Sequence, residues 1–457
     1  MAADAKQSPT LFDPTRFHAF RFLSRELDRG GRVTLRYALD EDVHFVEQLE
    51  LPVEAQLSDA ELDRVDGLLS LVHWVAGVSY FKTAAPPAIS CEAGTPSPAA
   101  AALLEALYSE GLGEFAYANG LGALPRPSFP RAPAPQVDRP DEEPSLRRML
   151  VPVGGGKDSA VALEIVRRAG GEVALFSIGN PPPIARTIDV AGLDHLLARR
   201  RLDPKMSELN RSGALNGHIP ITAVVSCVAL LTAALRGFGT VVMANERSAS
   251  FGNLVWDGVE INHQFSKGLP AERLLRAALA EAVEGLELFS VLRPASELAI
   301  ARAFARMERY HPAFTSCNAI FRIDPQLRAA SWCCDCPKCR FVFLAMAPFS
   351  DPAHLREVFG RDLLEDEGQF DGFALLTATG GHKPFECVGE EEESLAAVRM
   401  LATDPRWREH VVVRRLLADV LPRFPKTTGD PETVLALGDD HAVPAALMPD
   451  VRAVLGA

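Results

Sequence analysis

The stretch Met149-Leu150-Val151-Pro152-Val153-Gly154-Gly155-Gly156-Lys157-Asp158-Ser159 limits what this chain can fold into more than any other. A short apolar run, Met149 to Val153, reads as a buried parallel strand. Three glycines follow, and Ala160-Val161-Ala162-Leu163-Glu164-Ile165-Val166 opens a helix. Strand, glycine turn and helix N-terminus together make an anion site, because unhindered backbone N–H groups converge there and the helix dipole favours negative charge. Lys157 adds a cation and Ser159 a hydroxyl beside the helix start. The spacing is not that of the Walker loop, which places four residues between its first glycine and Gly-Lys-Ser/Thr. A bare strand-to-helix turn is the competing reading.

A chain of 457 residues has room for about three domains, or two large ones, and with 47% hydrophobic and 23% charged residues it can bury a substantial core. The net charge of −13 argues against a broad nucleic-acid footprint. The start, Met1-Ala2-Ala3-Asp4-Ala5-Lys6-Gln7, has no apolar signal core. Ile219 to Leu235 is too short and too rich in Thr, Ser and Pro for a membrane span. No membrane partner and a cytoplasmic location are therefore expected. Eight cysteines, four of them between Cys333 and Cys339, read as reduced thiols or metal ligands.

In order, residues 17 to 51 alternate as a small antiparallel sheet: Phe20 and Phe22, a Gly30-Gly31 turn, then Val33, Leu35 and Tyr37, and a third strand Val43–Leu51. Ser58 and Glu61 form a capping-box pair ahead of a helix with Leu62, Val65, Leu69 and Val72 on one face. Tyr80, Lys82, Tyr117 and Asn119 fall in loop-like stretches and read as solvated residues. Seven prolines between Pro125 and Pro144 make a stiff linker. The expected division is an N-terminal α+β domain (1–124), a linker (125–145), an α/β domain (146–345) and a helical region (346–457).

The α/β region alternates as a doubly wound sheet does. Glu172–Ile178 is a strand, Gly179-Asn180-Pro181-Pro182-Pro183 breaks it, Asp189–Arg200 reads as a helix and Pro220–Arg236 as another. Thr240–Ala244 and Leu288–Leu292 are further strands. Ligands of open α/β sheets gather at the carboxyl ends of strands, which places Asn245-Glu246-Arg247-Ser248 beside the glycine loop. His263, Gln264, Ser266 and Lys267 follow in a polar loop.

Cys317, Cys333, Cys336 and Cys339 have the spacing of a four-thiolate zinc site, with Cys334 adjacent as a possible substitute ligand. Thiolates this close repel one another without a cation, so a structural metal competes with a redox pair or a metal-free relic. In the C-terminal third, Gly380 and Gly389 bracket His382-Lys383-Pro384-Phe385-Glu386-Cys387, whose titratable variety suits acid–base work. The run Glu390–Glu393 reads as helix-dipole stabilisation. After Pro425 the tail is weakly patterned.

The glycine loop resembles the SGGxDS loop of the PP-loop ATP pyrophosphatases, which cleave ATP between its α and β phosphates and adenylate a substrate. Gly154 stands where that family usually has serine, so one hydroxyl contact to pyrophosphate is missing or supplied elsewhere. Arg293-Pro294-Ala295-Ser296-Glu297 is similar to a segment that many such enzymes carry after a late strand, and the cysteine segment to the knuckle of the 7-cyano-7-deazaguanine synthases. Asparagine-type synthetases need an N-terminal cysteine, whereas Ala2 follows Met1 here.

The whole-length arrangement resembles the ATP-dependent UDP-N-acetylmuramoyl-L-alanyl-L-glutamate epimerases of bacterial cell-wall synthesis. That resemblance implies a PP-loop (adenine nucleotide alpha hydrolase-like) parallel core, ATP with Mg²⁺, and inversion of the terminal L-glutamate of a UDP-MurNAc-dipeptide. It implies nucleotide contacts from Gly154, Gly155, Gly156, Lys157, Asp158, Ser159, Ser177, Arg247 and Arg293, and chemistry among His382, Lys383, Glu386, Cys387, Glu246 and His263. A carboxylate-adenylating ligase and a non-catalytic nucleotide sensor remain the alternatives.

Overall fold

A computed structural model describes residues 11–134, 145–321, 326 and 328–456. Much of the expected linker, residues 135–144, lies outside the described residues. The strands are β1 (Ala19–Leu27), β2 (Arg32–Leu39), β3 (Val43–Glu50), β4 (Ala88–Cys91), β5 (Arg148–Pro152), β6 (Glu172–Ile178), β7 (His195–Arg201), β8 (Thr240–Met243), β9 (Leu254–Trp256), β10 (Val259–Ile261) and β11 (Glu287–Ser290). Two compact units result, and they do not follow the chain in simple order. One takes residues up to 134 with Ala198–Arg236 and Leu274–Glu284, and the other takes 145–197, 237–273 and 285–456.

In the first unit β1, β2 and β3 form an antiparallel meander, β4 runs parallel to β1, and Arg199–Arg201 pairs antiparallel with β3. Period-two alternation drives this sheet: Phe20, Phe22, Val33, Leu35 and Tyr37 are all fully buried. Gly31 sits at φ 81° with Leu51 O only 2.9 Å from where a Cβ would stand, so the turn demands glycine. The helix Asp59–Ala76 starts with the full Ser58/Glu61 capping box and packs against Ile221–Arg236, whose apolar faces explain why the latter joins this unit. Glu47 and Arg200 form a buried ion pair at 2.7 Å. Two residues expected in solvated loops are buried instead. Tyr80 lies in the helix Val78–Phe81 with its ring centroid 5.0 Å from Tyr37, and the Lys82 ammonium donates to Asn216 Oδ1 at 2.5 Å. Their aromatic and aliphatic bulk finds more apolar contact inside than a loop offers.

The second unit holds a parallel sheet in the order β11-β8-β5-β6. The chain leaves β5 toward β6 on one side and returns to β8 on the other, so the strand order reverses between β5 and β8. Crevices at such reversals, outside the carboxyl ends, are where ligands of open α/β sheets sit. The helices Lys157–Ala169, Glu297–Ala305, Pro337–Met346 and Glu391–Thr403 share one apolar core with the sheet.

The expected helix Asp189–Arg200 is corrected. Pro182 and Pro183 open a helix, Pro182–Ala191, in the first turn, where a missing N–H costs nothing. Gly192 at φ 63° ends it, and β7 follows with Leu196 and Ala198 buried on one face. The tail after Pro425 is more than an appendage: Val434, Leu447, Val451 and Leu455 are buried, and Met448–Leu455 packs on Lys157–Ala169. Among the described residues, no helix is long and apolar enough to cross a membrane.

Candidate active site

The glycine loop leaves β5 as its sequence predicts. Val153 N–H donates to Phe176 O of β6 at 2.8 Å, and Gly156 occupies the N-cap of Lys157–Ala169 without a side-chain cap. Gly155 has φ 79°, and a Cβ there would stand 2.7 Å from the Pro183 carbonyl carbon. Only glycine satisfies both constraints. At Gly154 nothing lies within 4 Å of a Cβ, so a serine would fit without displacement. Ser159 Oγ donates to Gly156 O at 3.0 Å and braces the turn.

Lys157 does not extend into solvent. It is fully buried and paired with Asp158 and with Glu297, the first residue of the helix Glu297–Ala305. Glu297 Oε1 lies 3.6 Å from the Lys338 ammonium, so one carboxylate serves two lysines. Burial alone would raise the Asp158 carboxyl, but Lys157, Lys338 and Lys267 outweigh it and hold it low. Arg293, 1% exposed, spans this floor: it donates to Glu246 O at 2.6 Å, Lys267 O at 2.5 Å and Glu272 Oε2 at 2.7 Å. Glu272 in turn accepts from Ser290 N–H at the end of β11. Arg293 thus fixes the backbone of the β8 exit and of the 263–267 loop rather than facing a ligand with its guanidinium.

Above this floor lies Cys387. The Lys267 ammonium stands 3.4 Å from its sulfur, and His263 hydrogen-bonds it as well. Burial would raise the thiol, yet Lys267, His263 and Lys338 bring it down to about 6, a thiolate at neutral pH. The two loops are sewn together: Asn253 Nδ2 donates to Pro384 O at 2.7 Å while its Oδ1 accepts from His263 N–H at 2.9 Å. Glu246, 2% exposed, acts electrostatically on both Lys267 and Lys157.

The structure therefore gathers Lys157, Asp158, Glu246, His263 and Cys387 in one charged cluster and leaves the other candidates elsewhere. His382 is exposed, with its ring nitrogen 3.0 Å from Lys383 O. Lys383 is buried, and burial pulls its ammonium down against Glu390 and Glu393. Glu386 Oε2 accepts from Lys338 N–H at 3.0 Å and so faces the cysteines. Arg247 donates to Ala436 O and Val434 O of the tail, and Ser177 Oγ donates to Gly179 O with His195 Nε2 at 2.8 Å. Glu391 and Glu392 stand exposed in the first turn of Glu391–Thr403, as expected of the glutamate run, and the correction falls on Glu393. Glu393 is 3% exposed and accepts from Glu297 N–H at 3.1 Å. Burial and the neighbouring Glu390 push it up to about 8, so it is a protonated acid at neutral pH and not a dipole-stabilising surface charge. Lys267, Glu297 and Lys338 are the residues of this cluster to which pattern reading assigns no role. Glu297 ends the Arg293–Glu297 segment and Lys338 lies between Cys336 and Cys339, but nothing in their spacing predicts that they meet.

The four sulfurs of Cys317, Cys333, Cys336 and Cys339 all lie within 4.8 Å of one another. Cys317 and Cys339 are fully buried, Cys333 and Cys336 half-buried. Cys336 caps the helix Pro337–Met346. Cys334 is not a substitute ligand: its backbone is left-handed at φ 58° and its thiol turns away to Phe359 O at 3.2 Å. A compact set of four soft donors fits a tetrahedral zinc ion.

A parallel α/β core carries a glycine loop and a cluster of titratable side chains at its strand ends, an arrangement of the enzyme type, and comparison with known proteins gives the family. The MurL N-terminal domain model matches residues 11–291 and the MurL C-terminal domain model residues 313–430. A protein of a Micromonospora strain named UDP-N-acetyl-alpha-D-muramoyl-L-alanyl-L-glutamate epimerase is 48% identical over 94% of this chain and 96% of its own. Its namesake from Salinispora tropica is 47% identical over 94% of each chain, and that of Xanthomonas oryzae pv. oryzae 42% over 97% and 99%. The chain belongs to the MurL family.

Proposed function

We propose that the chain inverts the terminal L-glutamate of UDP-MurNAc-L-Ala-L-Glu to D-glutamate, as a cytoplasmic step in peptidoglycan precursor synthesis. The observation that carries this reading is identity of 42–48% over nearly the full length of three proteins bearing that epimerase name. The proposed route is adenylation on a PP-loop core. ATP with Mg²⁺ converts the glutamate α-carboxylate to an acyl-adenylate and releases pyrophosphate. The Cα proton then leaves to give an enolate, returns on the opposite face, and water cleaves the adenylate to carboxylate and AMP. The order has a physical reason: a carbanion beside a carboxylate is strongly disfavoured, and adenylation removes that negative charge first.

The placement of side chains supports a division of labour. The glycine loop N–H groups receive phosphate, with Lys157 balancing charge from beneath and Asp158 holding Mg²⁺. Cys387, kept as thiolate by Lys267 and His263, takes or returns the Cα proton, and Glu246 or His263 serves the other face. A zinc ion on Cys317, Cys333, Cys336 and Cys339 would be closed to substrate and would tie Cys317 to the helix Pro337–Met346. Incubation with ATP, Mg²⁺ and UDP-MurNAc-L-Ala-L-Glu, followed by chiral analysis of the released glutamate, tests the function. D-glutamate with AMP is expected. An amide or nitrile product indicates a ligase, and no turnover of ATP a sensor.

A further inference from the structure

Lys338 lies in the first turn of Pro337–Met346, between two cysteines of the knuckle, and its exposure is 7%. A lysine on a small metal-type turn ordinarily keeps its ammonium in water. Here the ammonium goes inward instead, to within 3.6 Å of Glu297 Oε1. That distance is longer than a hydrogen bond. The other oxygen of the same carboxylate is taken by Lys157. Lys338 also acts electrostatically on Asp158 and on Cys387. Lys338 thus shares Glu297 with Lys157 and lies in the field of Asp158, Glu386 and Cys387, but among the described residues its one ion pair is the 3.6 Å contact to Glu297, so the ammonium can still take a close oxygen from an arriving anion.

We propose that Lys338 is a second anion-binding residue of the active site, beside Lys157, and that the cysteine knuckle is the fixture that aims it. The identification of its ligand as the pyrophosphate end of a nucleotide rests on the adenylating reading above. An arriving phosphate oxygen supplies the acceptor that Glu297 shares out between two lysines. The backbone of Lys338 is immobilised on both sides, because Cys336 caps the helix and its sulfur accepts from Cys339 N–H at 3.4 Å. The Lys338 N–H in turn holds Glu386 Oε2 at 3.0 Å, one residue from Cys387. The knuckle therefore reaches the charged cluster twice, through the side chain of Lys338 and through its amide.

The test uses the full chain and inorganic pyrophosphate with Mg²⁺ as the probe, with binding followed by calorimetry. Lys338→Gln should weaken binding by roughly 10-fold or more, the usual consequence of losing a charge-assisted contact. Lys338→Arg, which keeps the charge, should recover part of it. Metal content and melting temperature of each variant show whether the knuckle is intact. Equal pyrophosphate affinity in wild type and Lys338→Gln overturns the proposal, as does a wild type that binds no pyrophosphate. Weakened binding accompanied by loss of the knuckle metal overturns it too, since the effect is then structural. Lys338-dependent binding in a wild type that forms no AMP leaves Lys338 standing and removes the adenylating reading instead.

Discussion

Cys387 sits under opposed influences, and their balance sets its chemistry. Burial favours the thiol, whereas the Lys267 ammonium and His263 favour the thiolate, with the thiolate prevailing above about pH 6. With Cys387 as the proposed base, deuterium exchange at the glutamate α position should fall about tenfold per pH unit below that point. Cys387→Ser should still form AMP and pyrophosphate but lose exchange by roughly 100-fold or more. Exchange as fast at pH 5 as at pH 7 would place the base elsewhere. Lys157 makes a different prediction, because it is engaged in a buried pair. Lys157→Met leaves Glu297 buried with less compensation and should cost about 3–5 kcal/mol of stability. It should also slow AMP release about 100-fold by removing a charge from the phosphate site. Adding Glu297→Gln should restore part of the stability, since Lys338 then loses its own share of that carboxylate, and none of the rate. Denaturant melts and AMP assays on the single and double variants separate the two effects, and a double variant with restored rate would deny Lys157 a chemical role.

Elements were legible where local sequence dictates them. Gly155 at positive φ, the Ser58/Glu61 box and the alternation of Phe20 and Phe22 are each backbone or period arguments that no tertiary contact overrides. Residues 189–200 are not legible locally, because Pro182 and Pro183 serve a helix start as well as a break and β7 gains its identity from pairing with β3. The charged cluster was only half legible for a related reason. Lys157, Lys267 and Lys338 come from three distant segments, and no periodicity records that their ammoniums converge. The knuckle lies between these cases, since its ligand spacing is local and its closure with Cys317 is not. It carries its own prediction: protein purified without added zinc should contain one zinc per chain. Cys339→Ser should lose the metal and, with it, helical signal from Pro337–Met346. Well-folded active protein free of zinc would refute the assignment.

At the scale of the molecule, the second unit places the glycine loop and the charged cluster at one sheet edge. The glycine loop follows β5, Glu246 follows β8, and Arg293 follows β11 while holding the 263–267 loop through Lys267 O. The loop of Cys387 is tied to that same stretch through Asn253. In the proposed route this tie would hold both half-reactions to one bound substrate. Proton removal should then depend on adenylation, even though ATP takes no part in the proton transfer itself. The measurable consequence is that UDP-MurNAc-L-Ala-L-Glu incubated with the enzyme in D₂O should acquire no α-deuterium without ATP. It should acquire none with an analogue whose α–β bridge is a methylene group, and it should exchange readily with ATP and Mg²⁺. Lys267 and His263 already depress the Cys387 thiol before any nucleotide arrives, so exchange that appears only with ATP and Mg²⁺ would place the control in the acidity of the substrate. Exchange without nucleotide would mean that the lysine cluster neutralises the free carboxylate unaided, and ATP would then serve only to give the epimerisation direction.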